Sequence, residues 1–169
     1  MMRSLGSDRL LLRELEDSDV ARIFALRSDP RVNRYINRQT PTNIGEAEAF
    51  IEKIKKGGTG ESYYWAITLK EDPELIGTIC IWNVSADGKT AELGYELSPS
   101  MQGRGIMNEA IGMVIDFAFS EGLTRLEAFT HRENSASTKL LLKHRFVLDE
   151  GRKDDDNPNI IIYYRLSGT

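Results

Sequence analysis

The sequence has little of what metal sites, disulfides and membrane spans require. It holds one cysteine and two histidines in 169 residues. One cysteine excludes an intrachain disulfide, and neither His131 nor His144 has partners at the spacing of metal ligands. No apolar run reaches the roughly 18 residues that a membrane-spanning helix needs, and the N-terminal run is short for a secretory signal. The sequence therefore predicts a cytoplasmic chain with no metal and no membrane segment.

An excess of one charge is also missing. Lys and Arg number 22 against 26 Asp and Glu, which leaves a formal net charge of -4. Such a chain has no basic surface for wrapping nucleic acid, and a cationic or amine partner fits slightly better. The composition, 40% hydrophobic and 28% charged, is that of a globular protein with one sizeable core. We predict a single domain over residues 1–169.

Hydrophobic spacing predicts a mostly helical first third. A short strand over Arg9–Glu14 is followed by Asp17-Ser18-Asp19, whose side-chain oxygens can cap a helix that ends at Asp29-Pro30. A second helix is predicted after Asn43, with one apolar face, and it stops at Gly57-Gly58.

The middle of the chain changes to the pattern of strands. Residues 63–69, 75–84 and 90–97 are rich in β-branched and aromatic residues, and Asp72-Pro73 and Asp87-Gly88 separate them. This pattern predicts an antiparallel meander of three strands.

The aromatic residues of the meander and its cysteine are predicted to be core. Cys80 lies in an apolar run and is expected to be buried and inert. We expect Tyr63, Tyr64, Trp65 and Trp82 to pack in the sheet rather than to form a substrate cage.

The last third alternates between the two periods. We predict a helix from about Gly105 to Ser120, a strand over Arg125–Thr130, a helix over Ser135–Lys143, and strands around Phe146 and over Ile160–Leu166. The order indicates a βαβ-like crossover, so the predicted fold class is mixed α/β.

A glycine-rich turn joins the third strand of the meander to the next helix. The turn reads Gln102-Gly103-Arg104-Gly105, and the helix starts with Ile106-Met107-Asn108. Gly103 and Gly105 let the backbone approach a ligand closely, while the first helical amides and the helix dipole favour an anion. Arg104 could add one charge-assisted contact. The turn is typical of a phosphate-binding site.

Three interpretations of the turn compete. A nucleoside-triphosphate loop is excluded because no lysine stands at the required position. A dinucleotide fingerprint would need a third glycine where Asn108 stands, although Glu127 lies 22 positions after Gly105, near the ribose-binding distance. A plain tight turn with two glycines stays open on this segment alone.

A second segment makes a family recognisable. Asn134–Phe146, together with Gln102–Gly105 and Ala91–Tyr95, resembles the GNAT superfamily, particularly its Rim-type branch, which acetylates protein N-termini. The resemblance runs from about Arg9 to Leu166. It implies the GNAT fold, in which a mostly antiparallel twisted sheet is splayed at the cofactor site and flanked by helices.

The resemblance also implies where acetyl-coenzyme A binds, with its pyrophosphate on the turn and its pantetheine along the preceding strand. The residues implied to bind it are Leu97, Ser98, Gln102, Gly103, Arg104, Gly105, Ile106, Met107, Asn108, Asn134 and Ser137. Two positions depart from the family pattern. Met107 stands where Gly or Ala is usual, and Arg145 replaces the usual Gly before Phe146. A left-handed Arg145 would cost about 1 kcal/mol.

The resemblance names two side chains for the chemistry. Ser137 is expected to hydrogen-bond the sulfur and to assist thiolate departure, because Leu141 stands where many members have a tyrosine acid. Glu92 matches the family's acidic position and is the favoured base for the amine, with a solvated strand carboxylate as the competing interpretation. Glu96 is a second candidate on the same face.

Two further roles concern the backbone and the helix dipole. A bulge at Gly94 would free a backbone amide, with Tyr95 or a neighbour as donor to the thioester oxygen. Glu109 is expected to stabilise the first helical turn through the dipole.

The favoured function is transfer of an acetyl group from acetyl-coenzyme A to an amine by direct attack in a ternary complex. The acceptor is an amine-bearing small molecule or a protein N-terminus, and the protein is expected to be a monomer or homodimer. Two alternatives stay open, a non-catalytic coenzyme A-binding regulatory module and, more weakly, a nicotinamide-dependent enzyme. The acidic run Asp154–Asp156 is interpreted as a solvated loop.

Overall fold

The computed structural model describes residues 3–57 and 63–169. The strands are β1 (Leu5–Gly6), β2 (Leu10–Arg13), β3 (Tyr63–Leu69), β4 (Asp72–Trp82), β5 (Thr90–Leu97), β6 (Arg125–His131), β7 (Val147–Leu148) and β8 (Ile160–Leu166). The helices are α1 (Val20–Ser28), α2 (Ile44–Lys55), α3 (Ile106–Ser120) and α4 (Ser135–Lys143). The described strands form one sheet in the order β1-β2-β3-β4-β5-β6-β8-β7.

The sheet is antiparallel except at its centre. Strands β5 and β6 are parallel, and α3 makes the crossover between them, while every other neighbouring pair of described strands runs antiparallel. The predicted meander β3-β4-β5 and the βαβ crossover are confirmed, as is the mixed α/β class with a mostly antiparallel sheet.

Side-chain alternation gives the sheet a different core on each face. Trp65 and Ile67 of β3 pack in the larger core, which includes α3 and Leu141 of α4. Tyr64 and Ala66 of the same strand pack in the smaller core with α1 and α2. The two helical layers therefore cover opposite faces of the sheet.

Three elements differ from the sequence-based predictions. Strand β1 was not predicted, because two residues carry no readable period. Strand β4 begins at Asp72 and not at Leu75, so Asp72-Pro73 lies inside the strand. Proline is tolerated there because it stands at the start of the strand.

The start of α1 also differs. Asp17–Asp19 form a short 3-10 turn, and Glu16 and Asp19 form a capping box across it. The Asp19 carboxylate is held by Arg13 of β2 at 2.8 Å. Asp19 therefore joins the turn to the sheet instead of capping a helix directly.

Helix α2 begins as predicted. The Asn43 side chain accepts a hydrogen bond from the Glu46 amide at 3.1 Å. The helix ends at Lys55, and Gly57 takes the left-handed conformation at φ 89°. Gly58, the second glycine of the predicted stop, lies outside the described residues.

Candidate active site

The two central parallel strands pair only at one end. Thr90–Glu92 of β5 register with Arg125–Glu127 of β6. Beyond that point, β5 stays in register with β4 as far as Leu97, while β6 stays in register with β8. A gap therefore opens between β5 and β6 in the middle of the sheet.

The free edge of β5 presents backbone donors to this gap. The Ser98 amide donates to the Ile76 carbonyl of β4 at 2.8 Å. Because successive amides alternate sides along a strand, the amides of Tyr95 and Leu97 lie on the opposite edge, toward β6. The divergence of the strands leaves both amides available to a ligand.

The predicted bulge at Gly94 is wrong. Register between β4 and β5 runs without interruption from Gly77 opposite Leu97 to Trp82 opposite Glu92, and the shift in the meander lies in β3 instead. Gly94 has a different reason to be glycine. A Cβ there would stand 3.1 Å from the Cys80 sulfur, which is closer than nine in ten real Cβ contacts, so the Cys80 side chain would have to shift. The divergence of β6, and not a bulge, frees the donors.

The glycine-rich turn has the conformation that its sequence predicts. Gly103 and Gly105 take left-handed φ values of 77° and 74°. Gly105 is the N-cap of α3 and, in the described part of the chain, no side chain caps it, whereas Asn43 caps α2 and Asn134 caps α4. The first amides of α3 are therefore left for a ligand, and the helix dipole favours an anion there.

Side chains from the connection between β1 and β2 hold this turn in place. Arg9 pairs with Glu109 at 2.6 Å and donates to the Arg104 carbonyl at 2.8 Å. The Ser7 hydroxyl also donates to Glu109. Burial acts to raise the pKa of Glu109, but the hydrogen bonds from Ser7 and Arg9 outweigh it and lower that pKa. Sequence reasoning missed Arg9 because its partner lies 100 positions away.

Several side chains of the turn are occupied within the protein. The Gln102 amide nitrogen donates to the Leu97 carbonyl at 3.1 Å, and the Asn108 oxygen bonds the His144 Nε2 at 2.9 Å. Met107 is buried in the larger core, so its size does not obstruct the turn. Arg104 is exposed. Met107 therefore offers a ligand at the turn its backbone, while Gln102 and Asn108 each have one side-chain atom already hydrogen-bonded within the protein.

Tyr95 and Ser137 meet at the edge of the gap. The Tyr95 hydroxyl and Ser137 Oγ are 2.7 Å apart, although the residues are 42 positions apart in sequence. Ser137 is 8% exposed, and its amide donates to the Asn134 side chain at 3.2 Å. Burial raises the pKa of Tyr95, so the phenol stays protonated at neutral pH. The pair is a neutral, protonated hydroxyl couple.

Glu92 lies on the other face of β5, away from this couple. It stands opposite Trp82 in β4 and beside Glu127 in β6, and it accepts a hydrogen bond from Asn83 at 2.8 Å. Burial raises the pKa of Glu92, with the Glu127 charge adding to the effect and the Asn83 hydrogen bond opposing it. A carboxylate with a raised pKa is a stronger base than an ordinary one.

Trp82 is not the core residue that the sequence suggested. It is 47% exposed at the end of β4, beside Glu92, while Trp65 is fully buried. The β5–β6 side of this face is not covered by α1 or α2, whose core includes Tyr64 but not Trp82. The exposed indole therefore lines the open part of the face.

Glu96, the second candidate base, is engaged in ion pairs. Its carboxylate is 8% exposed and lies 2.7 Å from Arg38 and 3.7 Å from Arg27. Arg38 belongs to the segment between α1 and α2, which also places Tyr35 against His131 of β6, with 5.2 Å between the ring centroids. No local motif marked either arginine, because Arg27 reaches the strand from α1 and Arg38 reaches it from a loop.

The described residues offer neither a metal site nor a membrane span. No group of three or more His, Cys, Asp or Glu residues stands close enough together to hold a metal ion in the part of the chain that the structure covers. Across residues 3–57 and 63–169, no helix has the length and apolar character needed to cross a membrane.

Comparison with known proteins identifies the family. The Acetyltransferase (GNAT) domain model matches residues 9–147. The uncharacterized N-acetyltransferase YoaA of Bacillus subtilis (strain 168) is 35% identical over 153 residues, which cover 86% of this chain and 84% of the relative.

Solved structures share the fold. RimL, a ribosomal L7/L12 alpha-N-protein acetyltransferase in complex with coenzyme A, superposes with a TM-score of 0.83 at 20% identity, over 97% of this chain and 98% of that one. The microcin C7 self immunity acetyltransferase MccE, in complex with acetyl-CoA and AMP, gives 0.80 at 20% identity, over 95% and 93%. With the family model matching most of the sequence, the chain belongs to the GNAT acetyltransferase family and is an N-acetyltransferase.

Proposed function

We propose that this enzyme transfers the acetyl group of acetyl-coenzyme A to an amine by direct attack in a ternary complex. The observation that carries the proposal is the gap between β5 and β6, with free strand amides and the Tyr95–Ser137 couple at its edge. The uncapped start of α3 lies at the end of β5. Coenzyme A and acetyl-CoA in the titles of the RimL and MccE structures support the choice of ligand.

The residues of the turn fit the pyrophosphate of this ligand. Two left-handed glycines and the uncapped amides of Ile106–Asn108 form an anion-binding helix start, and exposed Arg104 adds a positive charge nearby. Leu97, Ser98 and Asn134 would lie along the pantetheine arm. Since the Ser98 amide donates to the Ile76 carbonyl and the Ser98 carbonyl accepts from the Met101 amide, the Ser98 hydroxyl is the group left for binding.

Bound acetyl-coenzyme A supplies an acetyl thioester with a good leaving group. The amides of Tyr95 and Leu97 can donate to the thioester oxygen as negative charge develops on it, which is the largest single contribution in many acyl transfers. Ser137 Oγ can donate its proton to the departing sulfur, and the Tyr95 hydroxyl, bonded to it, can return a proton to Ser137.

The amine must lose one proton to become amide nitrogen. Glu92 can accept that proton, directly or through one water, because its carboxylate has a raised pKa and lies on the open face of β5. One proton thus leaves the amine for Glu92, and one proton reaches the sulfur from Ser137. Glu92 then releases its proton to solvent, and the Tyr95–Ser137 pair takes one up, so both return to their starting protonation states.

The proposal is tested by acetyl transfer in vitro. Purified protein and acetyl-coenzyme A are incubated with peptides carrying free N-termini, a polyamine and an aminoglycoside, and released coenzyme A thiol and acetylated product are both measured. We expect amine-dependent thiol release with matching product, and none with an N-terminally blocked peptide. Binding of acetyl-coenzyme A without transfer to any amine would instead indicate a non-catalytic module.

We also propose that residues 1–169 act as one acetyltransferase domain in the cytoplasm, as a monomer or homodimer. The near-neutral charge balance supports action without nucleic acid or membrane partners, and the single free cysteine is consistent with a reducing compartment. The acceptor is an amine-bearing small molecule or a protein N-terminus, the latter supported by the RimL likeness.

A further inference from the structure

Three charged side chains are enclosed between α1, the segment after it, and β5. Glu96 of β5 is 8% exposed, Arg38 is 16% exposed and Arg27 of α1 is 20% exposed. Among the described residues, Arg38 Nε, Arg38 Nη2 and Glu96 Oε1 are buried with no hydrogen-bond partner. Buried polar groups are nearly always paired, so these three atoms need an explanation.

The charges of this cluster do not balance. Two guanidinium groups face one carboxylate, which leaves one excess positive charge. The neighbouring ionisable groups do not compensate, since burial raises the pKa of Cys80 to about 12 and also raises the pKa of Tyr64, so both stay neutral. The Arg27 guanidinium also lies over the Phe50 ring at 4.0 Å, whereas the ion pair with Glu96 is the only one that Arg38 makes with the described residues. An enclosed excess charge is unfavourable unless an anion completes it.

The cluster lies beside the reaction gap. Glu96 follows Tyr95 directly, on the part of β5 that has left β6, and its side chain takes the face opposite Tyr95. The segment carrying Arg38 also reaches β6, where the Tyr35 ring packs at a tilt against His131. The segment thus spans the gap on the face opposite α3 and α4, which is where an acceptor can approach while coenzyme A occupies the other face.

We propose that Arg38 is a specificity-determining residue that binds a carboxylate of the acceptor, so that the preferred substrates are amines that also carry an acidic group. This inference rests on the proposed function and narrows its acceptor class. The carboxylate would accept hydrogen bonds from Nε and Nη2 of Arg38 in the bidentate arrangement that guanidinium favours, and its charge would balance the cluster. A free amino acid and an acidic peptide present the same chemistry.

The test compares acceptors in matched pairs that differ by one carboxylate. Amino acids are paired with their amides, and peptides with Asp at the first or second position are paired with their Asn counterparts. Initial rates are measured for wild type, Arg38→Gln, Arg38→Lys and the control Arg31→Gln. Arg31 lies in the same segment but is 75% exposed and paired with Asp29, so the control removes the same charge from the surface.

We expect wild type and Arg31→Gln to prefer the acidic member of a pair about tenfold or more in kcat/KM, through KM. Arg38→Gln should lose that preference, and Arg38→Lys should keep part of it. Preference for amino acids alone or for acidic peptides alone identifies the source of the carboxylate. The proposal would be overturned if wild type acetylated both members of every pair at equal rates. It would also be overturned if Arg38→Gln lowered the rates of both members equally, which would leave Arg38 with a structural role only.

A binding measurement separates this inference from the catalytic proposal. Coenzyme A-loaded protein is titrated calorimetrically with N-acetylated amino acids and peptides and with their amides, which requires no turnover. Tighter binding of the acids by wild type but not by Arg38→Gln supports the carboxylate site even if no amine is acetylated. Absent or equal binding of acid and amide rejects it, even if acetyl transfer is observed.

Discussion

The two faces of β5 use different chemistry. On the face toward α3 and α4, Tyr95 joins Ser137 in a neutral hydroxyl couple. On the face toward α1, Glu96 lies between Arg38 and Arg27 in a charged and incompletely paired cluster. One strand thus separates a side suited to proton donation from a side suited to recognising charge.

The two sides of the strand also differ in how far apart in sequence their functional residues lie. The cofactor side depends on glycines, helix starts and short motifs, which are local in sequence. The acceptor side depends on long side chains from a loop that reaches across the sheet. We therefore expect changes on the first side to affect chemistry or cofactor binding with every acceptor, and changes on the second side to affect the choice of acceptor.

The largest effect is expected at the hydroxyl couple. Ser137→Ala should lower kcat about 100- to 1,000-fold with every acceptor, because it removes the proton donor to the sulfur. Tyr95→Phe should cost less, since Ser137 remains. Steady-state kinetics check both variants. Ser135→Ala, which removes an exposed hydroxyl from the same helix turn, is the control. A Ser137→Ala enzyme with wild-type kcat would remove Ser137 from the chemistry.

The next effect concerns Glu92. Because its pKa is raised, the wild-type rate should fall as pH drops through a value above that of an ordinary glutamate, where the carboxylate becomes protonated. Glu92→Gln should lower the rate about 100-fold at neutral pH and abolish this acidic limb. The control is Glu71→Gln at an exposed turn. An unchanged pH-rate profile in Glu92→Gln rules out the carboxylate as base.

The same raised pKa predicts a change in stability. Burial favours neutral Glu92, so its contribution to folding is present at low pH and is lost as pH rises through its raised pKa. The unfolding free energy of Glu92→Gln relative to wild type should therefore improve from acidic to neutral pH. Denaturant titrations at the two pH values measure this trend, and the opposite trend would contradict the direction of the shift.

A smaller effect is expected at the glycine turn. Gly105→Ala places a Cβ 3.2 Å from Arg9 at a left-handed position, so it should weaken acetyl-coenzyme A binding about tenfold and strain the backbone by about 1–2 kcal/mol. Gly88→Ala is the matched control, because Gly88 has φ 68° and open space around it. Both variants should lose stability, but only Gly105→Ala should bind the cofactor more weakly in calorimetry.

The smallest effect is expected at Arg145, where a substitution should change stability without affecting either face of β5. Arg145 adopts φ 65° after α4, so it carries the left-handed strain that the sequence suggested. Arg145→Gly should raise the unfolding free energy by about 1 kcal/mol and leave acetyl transfer unchanged. Lys143→Gly, at the last residue of α4, should lower stability, and thermal or denaturant unfolding distinguishes the two signs. Destabilisation by Arg145→Gly would show that no strain was relieved.

Local patterns were sufficient for much of the fold. The strands β3 and β5 and the helix α4 match their predicted bounds, because period, β-branched content and capping residues all lie within each element. The conformation of the turn followed from Gly103 and Gly105 alone. Strand β1 and the true start of β4 were missed, because two residues have no period and Asp72-Pro73 has the composition of a turn.

Local sequence patterns could not predict the side-chain contacts of the site. Arg9 meets Glu109, Tyr95 meets Ser137, and Arg38 meets Glu96 only after the sheet has formed. The supposed bulge at Gly94 failed for the same reason, because the free amides come from the path of β6 and not from β5 itself. A charged residue in a loop is ordinarily expected at the solvated surface, so nothing in the sequence marked Arg38 as a site residue.

The central claim is that the free edge of β5 and the uncapped start of α3 bind acetyl-coenzyme A. Heteronuclear NMR of the backbone amides during titration with acetyl-coenzyme A tests it residue by residue. We predict the largest shifts at Tyr95, Leu97 and Ile106–Asn108, little change at the Asn43-capped start of α2, and no response to NADH. Absence of shifts at β5 and α3, or shifts centred on α1 and α2 instead, would contradict the account.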